Sequence, residues 1–135
     1  MTLEDLIKHW AVALLSSAAL SSLAYGATPA ELEAGYSAQA GAPASATRGQ
    51  ALFTTRHGRE WSCSSCHGAV PTRAGSHAAT GKSIAALAPA FNAERFTDST
   101  KAEKWFRRNC NDVVGRECSA AEKADVLAWL MTLQP

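Results

Sequence analysis

Apolar residues fall into register over some parts of this chain and not others, and the registers mark its expected elements. From residue 98 onward the pattern is helical. At about 100° per residue, Ala102, Trp105, Phe106, Asn109 and Val113 fall within one arc of about 100°, with Asn109 its one polar member. Lys101, Glu103, Lys104, Arg107 and Arg108 take the other side. A last helix is expected from Ser119, whose partner Glu122 completes an S-x-x-E capping box. Val126, Leu127, Trp129, Leu130 and Leu133 supply its apolar face. A short first helix is expected over residues 29–39, punctuated by Gly41 and Pro43. A second, capped by Thr47, would carry Ala51, Leu52 and Phe53. Residues 54–82 are rich in Gly, Ser, Thr, Arg and His and read as a loop wrapped around a site. No segment alternates strongly enough to predict a strand. The expected fold class is all-α with long loops and no significant sheet.

The longest apolar run, "WAVALLSSAALSSLAYGA", lies near the N-terminus behind "MTLEDLIKH". It reads as a secretory signal with cleavage near Gly26, because Ala24 and Gly26 satisfy the small-x-small rule. An uncleaved membrane anchor is the competing reading; the serine interruptions and short span disfavour it. The expected organisation is a signal over residues 1–26, one domain over residues 27–135, and export to the periplasm. Of the 135 residues this leaves 109. Without Lys8, Glu4 and Asp5 they hold twelve Lys/Arg and ten Asp/Glu, a net charge near +2. No clustered basic surface points to nucleic acid. A domain of this size buries only about two-thirds of its surface, so a large apolar cofactor would complete its core.

Four cysteines in an exported chain point to covalent uses. Cys63, Cys66 and His67 in "CSSCH" fit C-x-x-C-H, the attachment signal for c-type haem. Each thiol adds to one porphyrin vinyl group, and the adjacent imidazole then reaches the iron from the same side. His67 is therefore the expected proximal ligand. Two other readings compete. A four-cysteine zinc site wants a second close pair, and Cys110 and Cys118 are spaced more widely than that. A thioredoxin-like motif wants a βαβ setting that this pattern lacks.

The sixth iron ligand is open on these residues alone. Met131 is the one methionine beyond the signal, but it sits in the final turn of the last helix, where packing suits it better. His77, in "GSHAATGK", would make a bis-histidine haem. Asn109 lies in the apolar arc; its structural alternative is a hydrogen bond to nearby backbone. Asn92 and Asn111 lack a comparable apolar setting.

Two resemblances narrow the choice. Gly49 and Phe53 in "GQALF", with Ala128 to Leu130 in "AWL", resemble the contact residues of class I cytochromes c, although the interval from Phe53 to Cys63 is longer than in many of them. More specifically, "RFTDSTKAEKWFRRNCNDVVGRECSAAEKADVLAWL" resembles the C-terminal half of cytochromes of the sphaeroides haem protein type. That resemblance implies that Asn109 is the distal ligand and that Cys110 and Cys118 form a disulfide tethering the helix end. It implies ligand release on reduction, with transient oxygen binding. Trp105 and Phe106 would then pack on haem, and Lys82 or Arg73 would meet a propionate. The expected function is a monohaem carrier exchanging single electrons with another c- or b-type cytochrome and binding O2 or NO when reduced. The basic helix face from Lys101 to Arg108 could meet an acidic redox partner. One alternative is a haem enzyme acting on O2, peroxide or NO, with His77 or His57 as acid–base group. Another is an ordinary carrier ligated by Met131 or His77.

Overall fold

The computed structural model describes residues 26–135; the expected signal lies outside the described residues except for Gly26. Five helices carry the fold: α1 (Pro29–Ala40), α2 (Ala46–Thr54), α3 (Cys63–His67), α4 (Ser99–Val113) and α5 (Ala120–Thr132). Between α3 and α4 lie two strands of two residues each, β1 (Gly75–Ser76) and β2 (Ser83–Ile84), paired antiparallel, and a 3₁₀ turn at Pro89–Phe91. The all-α expectation holds. Among the described residues no helix is long and apolar enough to cross a membrane.

Local chemistry sets the helix ends. Thr28 starts α1 with a reciprocal capping box: the Glu31 N–H donates to Thr28 Oγ1 at 3.1 Å, and the Thr28 N–H donates to Glu31 Oε2 at 2.8 Å. Ser119 and Glu122 do the same at α5, with distances of 2.8 and 3.2 Å. Asp98 caps α4 by accepting from the Lys101 N–H at 2.9 Å. At α2 the cap is Ser45, two residues ahead of the expected Thr47. The reason is tertiary. Asp125 of α5, itself buried, accepts the Ser45 N–H at 2.6 Å and both Nε and Nη2 of Arg48, which fixes the entry to α2 from outside.

The core forms where α1 and α2 pack against α5. Phe53 of α2 meets Val126, Trp129 and Leu130 of α5, with the Phe53 and Trp129 rings 4.9 Å apart. Gly49 permits the approach: a Cβ there would collide with the backbone of Asp125 and stand 2.8 Å from the Val126 nitrogen. On the other flank, Tyr36 of α1 meets the Phe106 ring of α4 edge-on at 5.9 Å. Its hydroxyl donates to Glu103 at 2.8 Å, and Lys123 of α5 donates to the other Glu103 oxygen at 2.5 Å. One carboxylate thus joins α1, α4 and α5.

Candidate haem site

Residues 54–82 are not loop throughout, because "CSSCH" itself forms α3. Serines build this single turn: the Ser62 N–H donates to the Ser65 hydroxyl at 3.0 Å, and the Ser62 and Ser64 hydroxyls bond at 2.7 Å. Gly68 ends it at φ 80°, in the left-handed region that favours glycine. Cys63 and Cys66 therefore stand one turn apart with His67 following, and both thiols are free. Cys63 packs against the core cluster, and burial pushes its thiol pKa up to about 11. The Cys66 sulfur accepts the Ala78 N–H at 3.3 Å. His67 lies 6.0 Å from the Phe53 ring; burial first, and the charge of Arg95 second, lower its pKa to about 4. The imidazole is thus held neutral, the form that ligates a metal.

The short hairpin presses on this turn. A Cβ on Gly75 would collide with the Cys66 carbonyl and stand 3.0 Å from the His67 Cα. His77 belongs to the same hairpin, with its Nδ1 accepting the Ala79 and Thr80 N–H groups at 3.3 Å each. His57 is tied elsewhere, its Nε2 bonded to the Leu52 carbonyl at 2.8 Å. Met131 is half-buried in the last turn of α5.

The expected apolar arc of α4 divides in two. Of its members Ala102 and Val113 are buried, as is Cys110 just outside it, with Phe106 half-buried beside Tyr36 and Phe96. Trp105 is 43% exposed and Asn109 is exposed, one turn apart on the neighbouring stripe. Arg108 lies over the Trp105 ring, 5.7 Å from its centroid. The three asparagines differ in what they touch. Asn111 bonds the Arg107 carbonyl at 2.8 Å, and Asn92 bonds the Ala86 carbonyl and the Glu94 N–H at 3.2 Å each. The backbone role foreseen as the alternative for Asn109 thus falls to its neighbours. Among the described residues the Asn109 amide has no hydrogen-bond partner.

Directly behind Asn109, Cys110 is bonded to Cys118. That bond removes the four-cysteine zinc reading, and among the described residues no three His, Cys, Asp or Glu side chains converge to hold a metal ion. The residues do fit haem: two free thiols and a neutral imidazole share one turn, and some apolar side chains outside the core stand open. Val70, three residues past His67, is 57% exposed, and Phe91 is 38% exposed. Lys82 and Arg73 are both exposed. Sequence reasoning passed over Arg95, a half-buried cation whose charge acts on His67. Its only signal was a lone arginine directly ahead of Phe96 in the "RFTD" stretch.

Residues 39–130 match the family described as Domain of unknown function (DUF1924). The chain is 55% identical over 123 residues to the cytochrome c-type protein SHP of Cereibacter sphaeroides, covering 87% of this chain and 95% of that protein. It is 46% identical over 80 residues to cytochrome c'' of Methylophilus methylotrophus, covering 59% of this chain and 56% of that one. The solved structure of oxidized SHP, described as an oxygen binding cytochrome c, superposes with a TM-score of 0.75 at 54% identity, over 80% of this chain and 99% of that one. The solution structure of M. methylotrophus cytochrome c'', described with reference to haem-ligand detachment, gives 0.71 at 34% identity, over 79% and 94%. The free thiol pair with its imidazole, the helical core and these likenesses agree: the chain belongs to the SHP family of c-type cytochromes, whose cofactor is covalently bound haem c.

Proposed function

We propose that this chain is an exported monohaem cytochrome that exchanges single electrons with another cytochrome and takes up a small diatomic gas, O2 or NO, in its reduced state. Cys63 and Cys66 form the two thioethers, His67 is the proximal ligand, and Asn109 is a labile distal ligand. When bound, haem would supply a one-electron iron centre. Asn109 brings a neutral amide, a hard and weak donor that suits ferric better than ferrous iron. Asn109 would therefore hold the iron in the oxidised protein and be the weaker ligand once it is reduced.

The observation that carries this reading is the contrast among the asparagines: Asn92 and Asn111 are taken by backbone, and Asn109 is not. The likeness to SHP, an oxygen-binding cytochrome c, supports the gas ligand. The Cys110–Cys118 disulfide supports export, because reducing compartments seldom keep such bonds.

Absorption spectra of the oxidised and reduced holoprotein, with and without NO, test the proposal. The Asn109→Ala protein is expected to keep its covalent haem while admitting azide and NO faster in the ferric state. A spectrum unchanged by that substitution in both oxidation states would remove Asn109 as the ligand.

A further inference from the structure

Arg95 lies between the 3₁₀ turn and α4, half-buried, with no acidic partner among the described residues. The ion pairs found there use Arg48, Arg107, Arg116 and Lys123. Its guanidinium instead donates from Nε to the Ala86 carbonyl at 2.9 Å and from Nη2 to the Ala85 carbonyl at 2.7 Å. Neutral carbonyls orient a cation without cancelling its charge. Burial without a counter-charge is unfavourable to the charged form, and it lowers the Arg95 pKa.

The loop that holds Arg95 is built for the purpose. Leu87 and Ala88 donate to the Pro71 carbonyl at 3.1 and 3.0 Å, which ties residues 85–88 to the chain just past α3. Asn92 adds a second donor to the Ala86 carbonyl. Phe96, next to Arg95, has a φ of 60° and is the one non-glycine residue with positive φ among the described residues. Such a backbone is strained, and strain of this kind gathers at functional sites. The result is a fixed cation on a loop that is tied, through Pro71, to the chain just past the Cys-His turn. A guanidinium has five N–H donors in a planar fork, and two bonds to carbonyls leave an edge free for a carboxylate. Haem brings two carboxylates.

We propose that Arg95 is the partner of a haem propionate and that its fixed charge raises the reduction potential of the centre. This rests on the reading that Cys63, Cys66 and His67 hold haem. Lys82, the residue expected in this role, is exposed on the hairpin and has no comparable support.

The test uses purified holoprotein with R95Q and R95K, and with R56Q, which removes an exposed charge, as comparison. Covalent haem is read from the absorption spectrum after denaturation, the potential by spectroelectrochemistry, and the propionate bending mode by resonance Raman. R95Q is expected to lower the ferrous-to-ferric ratio at a fixed applied potential about tenfold, equal to about 59 mV for one electron, and to shift the propionate mode. R95K should recover most of the potential yet still shift the mode, because an ammonium lacks the planar fork. R56Q should move neither. An unchanged potential and mode in R95Q overturns the proposal, as does K82Q producing both effects instead. If R95Q does not fold, R95K decides, and an unmoved propionate mode overturns the proposal. Wild-type protein without covalent haem would overturn the attachment reading itself, a result seen before any variant is made.

Discussion

Gly49 of α2 lies against the backbone of Asp125 in α5 with no room for a side chain between them. The two helices meet through main chain at this point, and the Phe53 to Trp129 contact one turn further on depends on that closeness. Gly49→Ala is expected to push the helices apart and destabilise the holoprotein by about 1–3 kcal/mol, the usual range for overpacking a core. Chemical denaturation followed by far-ultraviolet circular dichroism measures it. An unchanged midpoint would mean that the approach is not close in solution.

The disulfide between Cys110 and Cys118 joins residues eight apart. Closing so short a loop restricts the unfolded chain by about 2–3 kcal/mol. Replacing both cysteines with serine, or treating the wild-type protein with a reductant, should lower the melting temperature by the same amount. Reductant should have no further effect on the double variant. Equal melting temperatures for oxidised and reduced wild type would contradict this assignment of stability.

Acid should weaken the start of α5. Arg116 donates to both oxygens of Glu122 at 2.8 and 2.7 Å, and the Ser119 N–H donates to one of them. Chiefly through Arg116, the Glu122 pKa falls from its ordinary 4.5 to about 2. A depressed carboxylate pKa stabilises the fold above the unfolded value, and that contribution is lost as pH falls through the window from 4.5 to about 2. Melting temperatures of wild type and Glu122→Gln should therefore differ at neutral pH and converge near the bottom of this window. A constant gap across it would show that the ionised carboxylate is not responsible.

The sequence made some features legible and hid others for identifiable reasons. The cap of α5 could be read directly because Ser119 and Glu122 satisfy each other locally. The cap of α2 could not, because Ser45 is chosen over Thr47 by a carboxylate eighty residues away, Asp125. A five-residue helix such as α3 is too short to show a period, so only its C-x-x-C-H spacing gave it away. The α4 arc was found, but a wheel cannot say which half of an arc meets protein. Ala102, Phe106 and Val113 turned inward, and Trp105 with Asn109 did not. Arg95 was missed because its meaning lies in the lack of a carboxylate beside it, which only the fold reveals.

The carboxylate of Glu103 also bears on timing. It holds α4 to Tyr36 and Lys123 near one end, and the bond to Cys118 holds it at the other. A helix fixed at both ends has little rigid-body freedom, so Asn109 can change position only by turning about its own two side-chain torsions. On the ligand role proposed for Asn109, the protein's own share of ligand exchange would be a side-chain rotamer change and not a shift of packed helices. Neither the core around Trp129 nor the α3 turn would then have to repack when the oxidation state changes.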